Sequence, residues 1–179
     1  MRLPVIKEFF VFEIIDILSW FPNKTNPMKF SNDITFKINR FEDLTSVEAF
    51  ELLKLRSKVF VEEQICVYLD PDENDLSSDH FRGLSNSGEL LTYCRIYKSE
   101  SWHIGRIATK NSARGAGLGA QMVVESIKYC HSKQSSLSIE MSAQVYLTDF
   151  YKNLGFTPQG GMYLEDGIPH IKMSYQNNL

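Results

Sequence analysis

The sequence predicts a mixed α/β domain in which strands and a few helices alternate around one sheet. Short segments of period-two alternation, such as "ITFKIN" (34 to 39) and "WHIGRIAT" (102 to 109), are interleaved with segments of helical period. A glycine-rich stretch, "ARGAGLGAQ" (113 to 121), joins one of those strands to the longest helical pattern. A chain of 179 residues, 43% hydrophobic, 12% aromatic and 23% charged, suits one globular core and is short for two.

After the first strand, Thr45 or Ser46 can cap a helix, with Glu48 at capping-box distance from Thr45. From 47 to 60 the apolar residues Val47, Phe50, Leu52 or Leu53, Leu55 and Val59 fit one buried helical face. "VYLDPDENDLSSDH" (67 to 80) reads as an acidic loop, either solvated or supplying a field for a cation. "HFRGL", "NSGE" and "ELLTYCRIY" read as strand, turn and strand, and "KSES" turns into the strand at 102 to 109. Beyond the glycines, apolar residues at 118, 122, 123, 127 and 130 mark a helix of about four turns. "LSIEMS" (137 to 142) is a strand, "LTDFYKNL" (147 to 154) a short helix with Gly155 as its cap, and strands follow around 162 to 164 and 170 to 175.

Residues 1 to 27 stand apart, and we read them as an appendage to a functional domain that begins near Met28. Lys7, Glu8, Glu13 and Asp16 interrupt the apolar run, which therefore lacks the ~18 to 20 apolar residues of a membrane span. It also lacks the order of parts found in a secretory signal. A net charge of -3 and no basic run with interleaved aromatics argue against nucleic-acid binding. Cys66, Cys94 and Cys130 are odd in number and widely spaced, which suits a reducing cytoplasm, and no set of side chains has metal-ligand spacing.

Glycines entering a helix let backbone N–H groups converge on an anion at the positive end of the helix dipole. A Walker loop fails here because Gly119 is followed by Ala120 and Gln121. "GAGLGA" (115 to 120) does satisfy a dinucleotide fingerprint, with Glu140 about 20 residues on, which keeps a dinucleotide-binding oxidoreductase as an alternative. Five residues nevertheless separate the strand from Gly115, and only 39 follow Glu140, too few for the remaining parallel strands and their crossovers. The third pattern is Arg-x-x-Gly-x-Gly, met by Arg114, Gly117 and Gly119.

In that motif the chain resembles the GNAT superfamily of acyl-CoA-dependent N-acyltransferases. "DFYKNLGF" (149 to 156) is similar to a later segment of the same family, in the same order. "VFVEEQ", "DPDENDLSSDH" and "EDGIPHI" resemble its ElaA-type subgroup, so the likeness spans about residues 34 to 175. It implies a single GNAT-like domain with a mixed, mostly antiparallel central sheet flanked by helices, using acetyl-CoA as co-substrate. The implied reaction is direct acetyl transfer to a primary amine, on a small molecule or a peptide, in the cytoplasm. A non-catalytic acyl-CoA sensor is the alternative, and a homodimer is left open.

By the same resemblance, Arg114, Gly115, Ala116, Gly117, Leu118, Gly119 and Ala120 hold the coenzyme pyrophosphate. Main-chain groups of Ile107 and Thr109 lie along the pantetheine arm, and Gln144 stands where the family often has an asparagine. Tyr151 is the candidate acid, since a phenol of pKa about 10 can return a proton to a thiolate of pKa about 8.5. Glu63, His170 and Glu140 are candidates for the base or the substrate anchor. Deleting residues 1 to 27 is expected to leave thiol release from acetyl-CoA and the melting temperature nearly unchanged, as read by a thiol assay and thermal unfolding; a large loss of either would make the segment part of the domain.

Overall fold

In the computed structural model, residues 33–176 are described. The domain boundary near Met28 and the appendage at 1 to 27 lie outside them. Alternation in the first strand produces β1 (Ile34–Arg40), and the capping box forms as its spacing requires. Thr45 Oγ1 accepts from the Glu48 N–H at 3.2 Å, and the Glu48 carboxylate accepts from the Thr45 N–H at 2.9 Å. This starts α1 (Ser46–Arg56). Beyond Arg56 the chain does not stay α-helical to residue 60; it widens into a π-helical segment over Ser57–Glu63.

The remaining elements are α2 (Asn74–Ser77), β2 (Asp79–Ser85), β3 (Leu90–Lys98), β4 (Trp102–Thr109), α3 (Leu118–Gln134), β5 (Ile139–Gln144), α4 (Thr148–Asn153), β6 (Thr157–Glu165) and β7 (Ile168–Tyr175). The last two strands run longer than their apolar residues suggest, because β6 carries an irregularity between Gln159 and Tyr163 around its paired glycines. The sheet order is β1-β2-β3-β4-β5-β7-β6. Every neighbouring pair is antiparallel except β4 and β5. An open parallel sheet, which the dinucleotide reading needs, is not what forms.

Helices cover both faces. On one, α3 packs Met122, Val123, Ile127 and Cys130 onto Cys94, Ile96, Ile104, Ile139 and Met173. On the other, Leu52, Leu55 and Val59 pack onto Tyr93 and Ala108. Each fully buried aliphatic side chain contributes about 1.5 to 3 kcal/mol, so these two faces supply most of the drive to fold. Burial also pushes the Cys94 and Cys130 thiols up to about 12, leaving them as inert apolar groups.

The acidic segment is neither a solvated loop nor a free anionic field. Arg56, fully buried, donates from Nε to Asp70 at 2.8 Å and from its terminal nitrogens to Asp75 at 2.6 and 3.1 Å. Arg95 reaches Asp72 and Asp75, and Arg106 reaches Asp70 and Asp72. Asp79 lies outside this group, accepting from Arg40 and from Tyr129. Below the network, His80 donates from Nε2 to the Asp75 carbonyl and accepts at Nδ1 from Tyr93 Oη, both at 2.8 Å. Burial lowers the His80 pKa, so the ring stays neutral in its slot.

Burial alone would raise the Asp75 carboxyl, but hydrogen bonds from Arg56 and Arg95 outweigh it and hold its pKa at about 2. Asp75 is then depressed in the folded state relative to the unfolded chain. Its contribution is complete above about pH 4 and is lost as pH falls towards 2. Asp75→Asn leaves two buried guanidiniums short of an anion and is expected to cost about 3 to 5 kcal/mol in urea unfolding at pH 7. The difference from the wild type should shrink between pH 4 and 2.

Candidate active site

The site begins where two strands part. β4 and β5 pair only at Trp102 with Ile139 and His103 with Glu140, after which β5 follows β7 and β4 stays with β3. From Ile104 onward one edge of β4 therefore has no strand partner among the described residues, and an extended chain can lie along it. A bulge reshapes this edge. Tyr93 pairs with Ala108 and Arg95 with Gly105, so β4 fits one residue more than β3 between the same two points. The extra residue exchanges the faces: Trp102 and Ile104 join the α3 side, whereas Ala108 joins the α1 side and Ile107 returns to α3.

At the bulge Arg106 has φ 52°, an unusual backbone for a side chain of its size. Its guanidinium is held by Asp70 at 3.1 Å and Asp72 at 3.2 Å and lies over the Tyr68 ring. The ion pairs offset the strain and fix the direction of the N–H groups around Ile107. A trace of this is present in the sequence, because an arginine interrupts the inward series Trp102, Ile104, Ala108.

Past Thr109 the chain makes a 3₁₀ turn at Asn111–Ala113 and reaches the glycines. Gly115 and Gly117 have φ of 76° and 78°, which only glycine adopts freely, and Gly117 is the N-cap of α3. No side chain caps this helix, and its first turn, Leu118, Gly119 and Ala120, contains no acid. The first N–H groups and the positive end of a 17-residue helix thus face the loop. A Cβ on Gly119 would meet only Thr109 Oγ1, at 3.5 Å, so the fold itself does not demand glycine there.

Each candidate side chain has its own local partners. Tyr151 is buried on α4, its ring edge-on to Phe150 and Phe156, and burial pushes its phenol above the ordinary range, so it stays protonated. Gln144, at the end of β5, donates to Gln64 Oε1 at 3.0 Å, which ties the sheet to the end of the π-helical segment. Gln64 was not singled out from the sequence. Glu63 is paired with Arg114, whose Nε also donates to the Thr109 carbonyl at 3.1 Å. Glu140 is paired with Lys172 at 2.9 Å, beside the closed end of the cleft. His170 is buried beneath Tyr163 and donates from Nδ1 to the Ile168 carbonyl at 2.9 Å, leaving Nε2 as its acceptor.

Among the described residues no group of His, Cys, Asp or Glu is arranged to hold a metal ion, and no helix is long and apolar enough to cross a membrane. Comparison with known proteins agrees with the geometry. Residues 55–177 match the family described as acetyltransferase (GNAT) domain. The chain is 37% identical over 150 residues to a UPF0039 protein of Synechocystis, covering 80% of this chain and 96% of the relative. It is 38% identical over 138 residues to the protein ElaA of Escherichia coli, covering 74% and 90%. The crystal structure of that ElaA superposes with a TM-score of 0.75, covering 80% of this chain and 99% of the other. An acyl-CoA N-acyltransferase from Pseudomonas aeruginosa also gives 0.75, at 34% identity and with 79% and 99% covered. The overall fold is thus shared with relatives of known structure, and the chain belongs to the GNAT acetyltransferase family, in the group that includes ElaA.

Proposed function

We propose that the protein transfers an acetyl group from acetyl-CoA to a primary amine by direct attack, with no covalent enzyme intermediate. The observation that carries this reading is the continuity of the unpaired β4 edge with the uncapped start of α3. One end suits an extended amide-bearing arm and the other a pyrophosphate, at the spacing of a single short loop. Main-chain groups of Ile107 and Thr109 line the arm, Gln144 meets it from β5, and the N–H groups of residues 114 to 120 receive the phosphates.

Arg114 is set by the Thr109 carbonyl and Glu63, so Glu63 orients the phosphate loop in this scheme. An N–H near Ile107, aimed by the bulge, stabilises the charge that develops on the thioester oxygen. Tyr151 gives its proton to the departing thiolate. His170 Nε2 anchors the acceptor from the β7 side. Free thiols at Cys66, Cys94 and Cys130 accord with work in a reducing compartment such as the cytoplasm.

Acetyl-CoA binding by calorimetry and thiol release with a panel of amines test the reading. Binding without turnover on any amine would convert the protein into an acyl-CoA sensor. Gly119→Ala is expected to change stability by less than about 0.5 kcal/mol, because its Cβ meets nothing tight, yet to weaken acetyl-CoA binding at least about tenfold, since close approach is lost. Tyr151→Phe is expected to lower kcat by about 100-fold with little change in acetyl-CoA affinity, and a fully retained kcat would remove Tyr151 from the chemistry.

A further inference from the structure

Ser142 is the first β5 residue beyond Glu140 on the same face, so on that face it is the first side chain past the point where β4 and β5 part. It is exposed to that face and hydrogen-bonded on two sides. Its Oγ lies 2.5 Å from Tyr163 Oη and 2.7 Å from Glu165 Oε2. Both partners come from β6 and reach Ser142 across the intervening β7, so the end of the β6–β7 hairpin curls back over β5. The neighbouring Asp166 carbonyl accepts from the Cys66 thiol at 3.5 Å, which brings the segment after the π-helix to the same hairpin tip.

Donor and acceptor chemistry gives this trio a direction. A carboxylate only accepts, so the Ser142 proton points to Glu165, and Tyr163 donates to one lone pair of Ser142. The other lone pair can take an N–H from the cleft. The charged groups around the trio are already engaged: Lys172, opposite Ser142 on β7, is paired with Glu140, and Glu63 is paired with Arg114. His170 lies beneath Tyr163 with Nδ1 committed to a carbonyl. Glu165 carries no ion pair among the described residues; its partner is the Ser142 hydroxyl.

We propose that Ser142 contacts the incoming ammonium and passes its proton to Glu165, which makes the amine nucleophilic; this rests on the acyltransferase reading above. As an N–H proton moves to Ser142 Oγ, the Ser142 proton moves to Glu165 Oε2, leaving a neutral amine and a neutral acid. The nitrogen lone pair then forms the C–N bond, and the C–S bond breaks with its electrons on sulfur. Tyr151 protonates that sulfur and is reprotonated by the second proton lost from nitrogen. Glu165, exposed at the hairpin tip, returns its proton to water. Ser142 is the catalytic contact and Glu165 a residue acting through it.

The test uses the full chain, acetyl-CoA, and spermidine, lysine methyl ester and phenethylamine as amine probes, with thiol release followed from pH 7 to 10. Glu165→Gln is expected to lower kcat/KM about 100-fold at pH 7. It should recover to within about threefold of wild type near pH 10, where an amine of pKa about 10.4 arrives largely deprotonated without help. Ser142→Ala should show the same recovery, and acetyl-CoA binding by calorimetry should match wild type in both variants. Wild-type activity of Glu165→Gln at pH 7, or an equal loss at every pH, would overturn the relay and assign the trio to hairpin packing. If wild type releases no thiol with any probe at any pH, the acyltransferase reading falls, and the relay with it.

Discussion

Three arginines set against three aspartates hold together parts of the chain that have no other reason to meet. Arg56 ends α1, Arg95 lies in β3 and Arg106 in the bulge of β4, while Asp70, Asp72 and Asp75 come from one intervening segment. The charges balance; Arg56, Arg95, Asp70 and Asp75 are buried, whereas Arg106 and Asp72 are partly exposed, so the inner four depend most on one another. A single buried pair of this kind adds little net stability. Its strength here is geometric, because satisfying Arg106 fixes the bulge, and the bulge decides which side chains face α1 and which face α3.

That constraint also explains why the cleft opens where it does. A regular β4 would place Arg106 in the α3 core, where no partner exists, and would keep its outer edge straight. β4 and β5 part after His103 and Glu140, while β5 stays paired with β7 on its other edge along its whole length. The β4 edge left over has no strand partner among the described residues, and the chain runs from it through the glycine loop into α3. In the proposed reading, anion recognition rests on main-chain N–H groups and the helix dipole, which suits a chain of net charge -3.

Much of the frame was legible because it is local. β4 appears with the bounds read from its alternation, the Thr45 capping box closes as spaced, and the five apolar positions of α3 are all buried. What escaped was long-range. Nothing in "DPDENDLSSDH" reveals that its acids are matched to arginines up to 39 residues away, since ion pairing leaves no periodicity. The same holds within the site: Glu63 looks like a free carboxylate in "VEEQ" until Arg114 is placed on it. Ser142, Tyr163 and Glu165 assemble only because a hairpin crosses over a strand that the sequence places after it. Gln64 was hidden similarly, one residue beyond a segment whose π-helical winding no apolar pattern announced.

The position of β7 has a consequence for biosynthesis. It is the last strand of the described chain, yet it sits between β5 and β6, with Met173 fully buried in the main core. A ribosome-bound chain that has released β5 but not β7 presents an open sheet edge next to apolar side chains, and nothing earlier in the order can fill it. Closure of the core therefore waits for the chain up to Tyr175, the residue of β7 that pairs with Ile139.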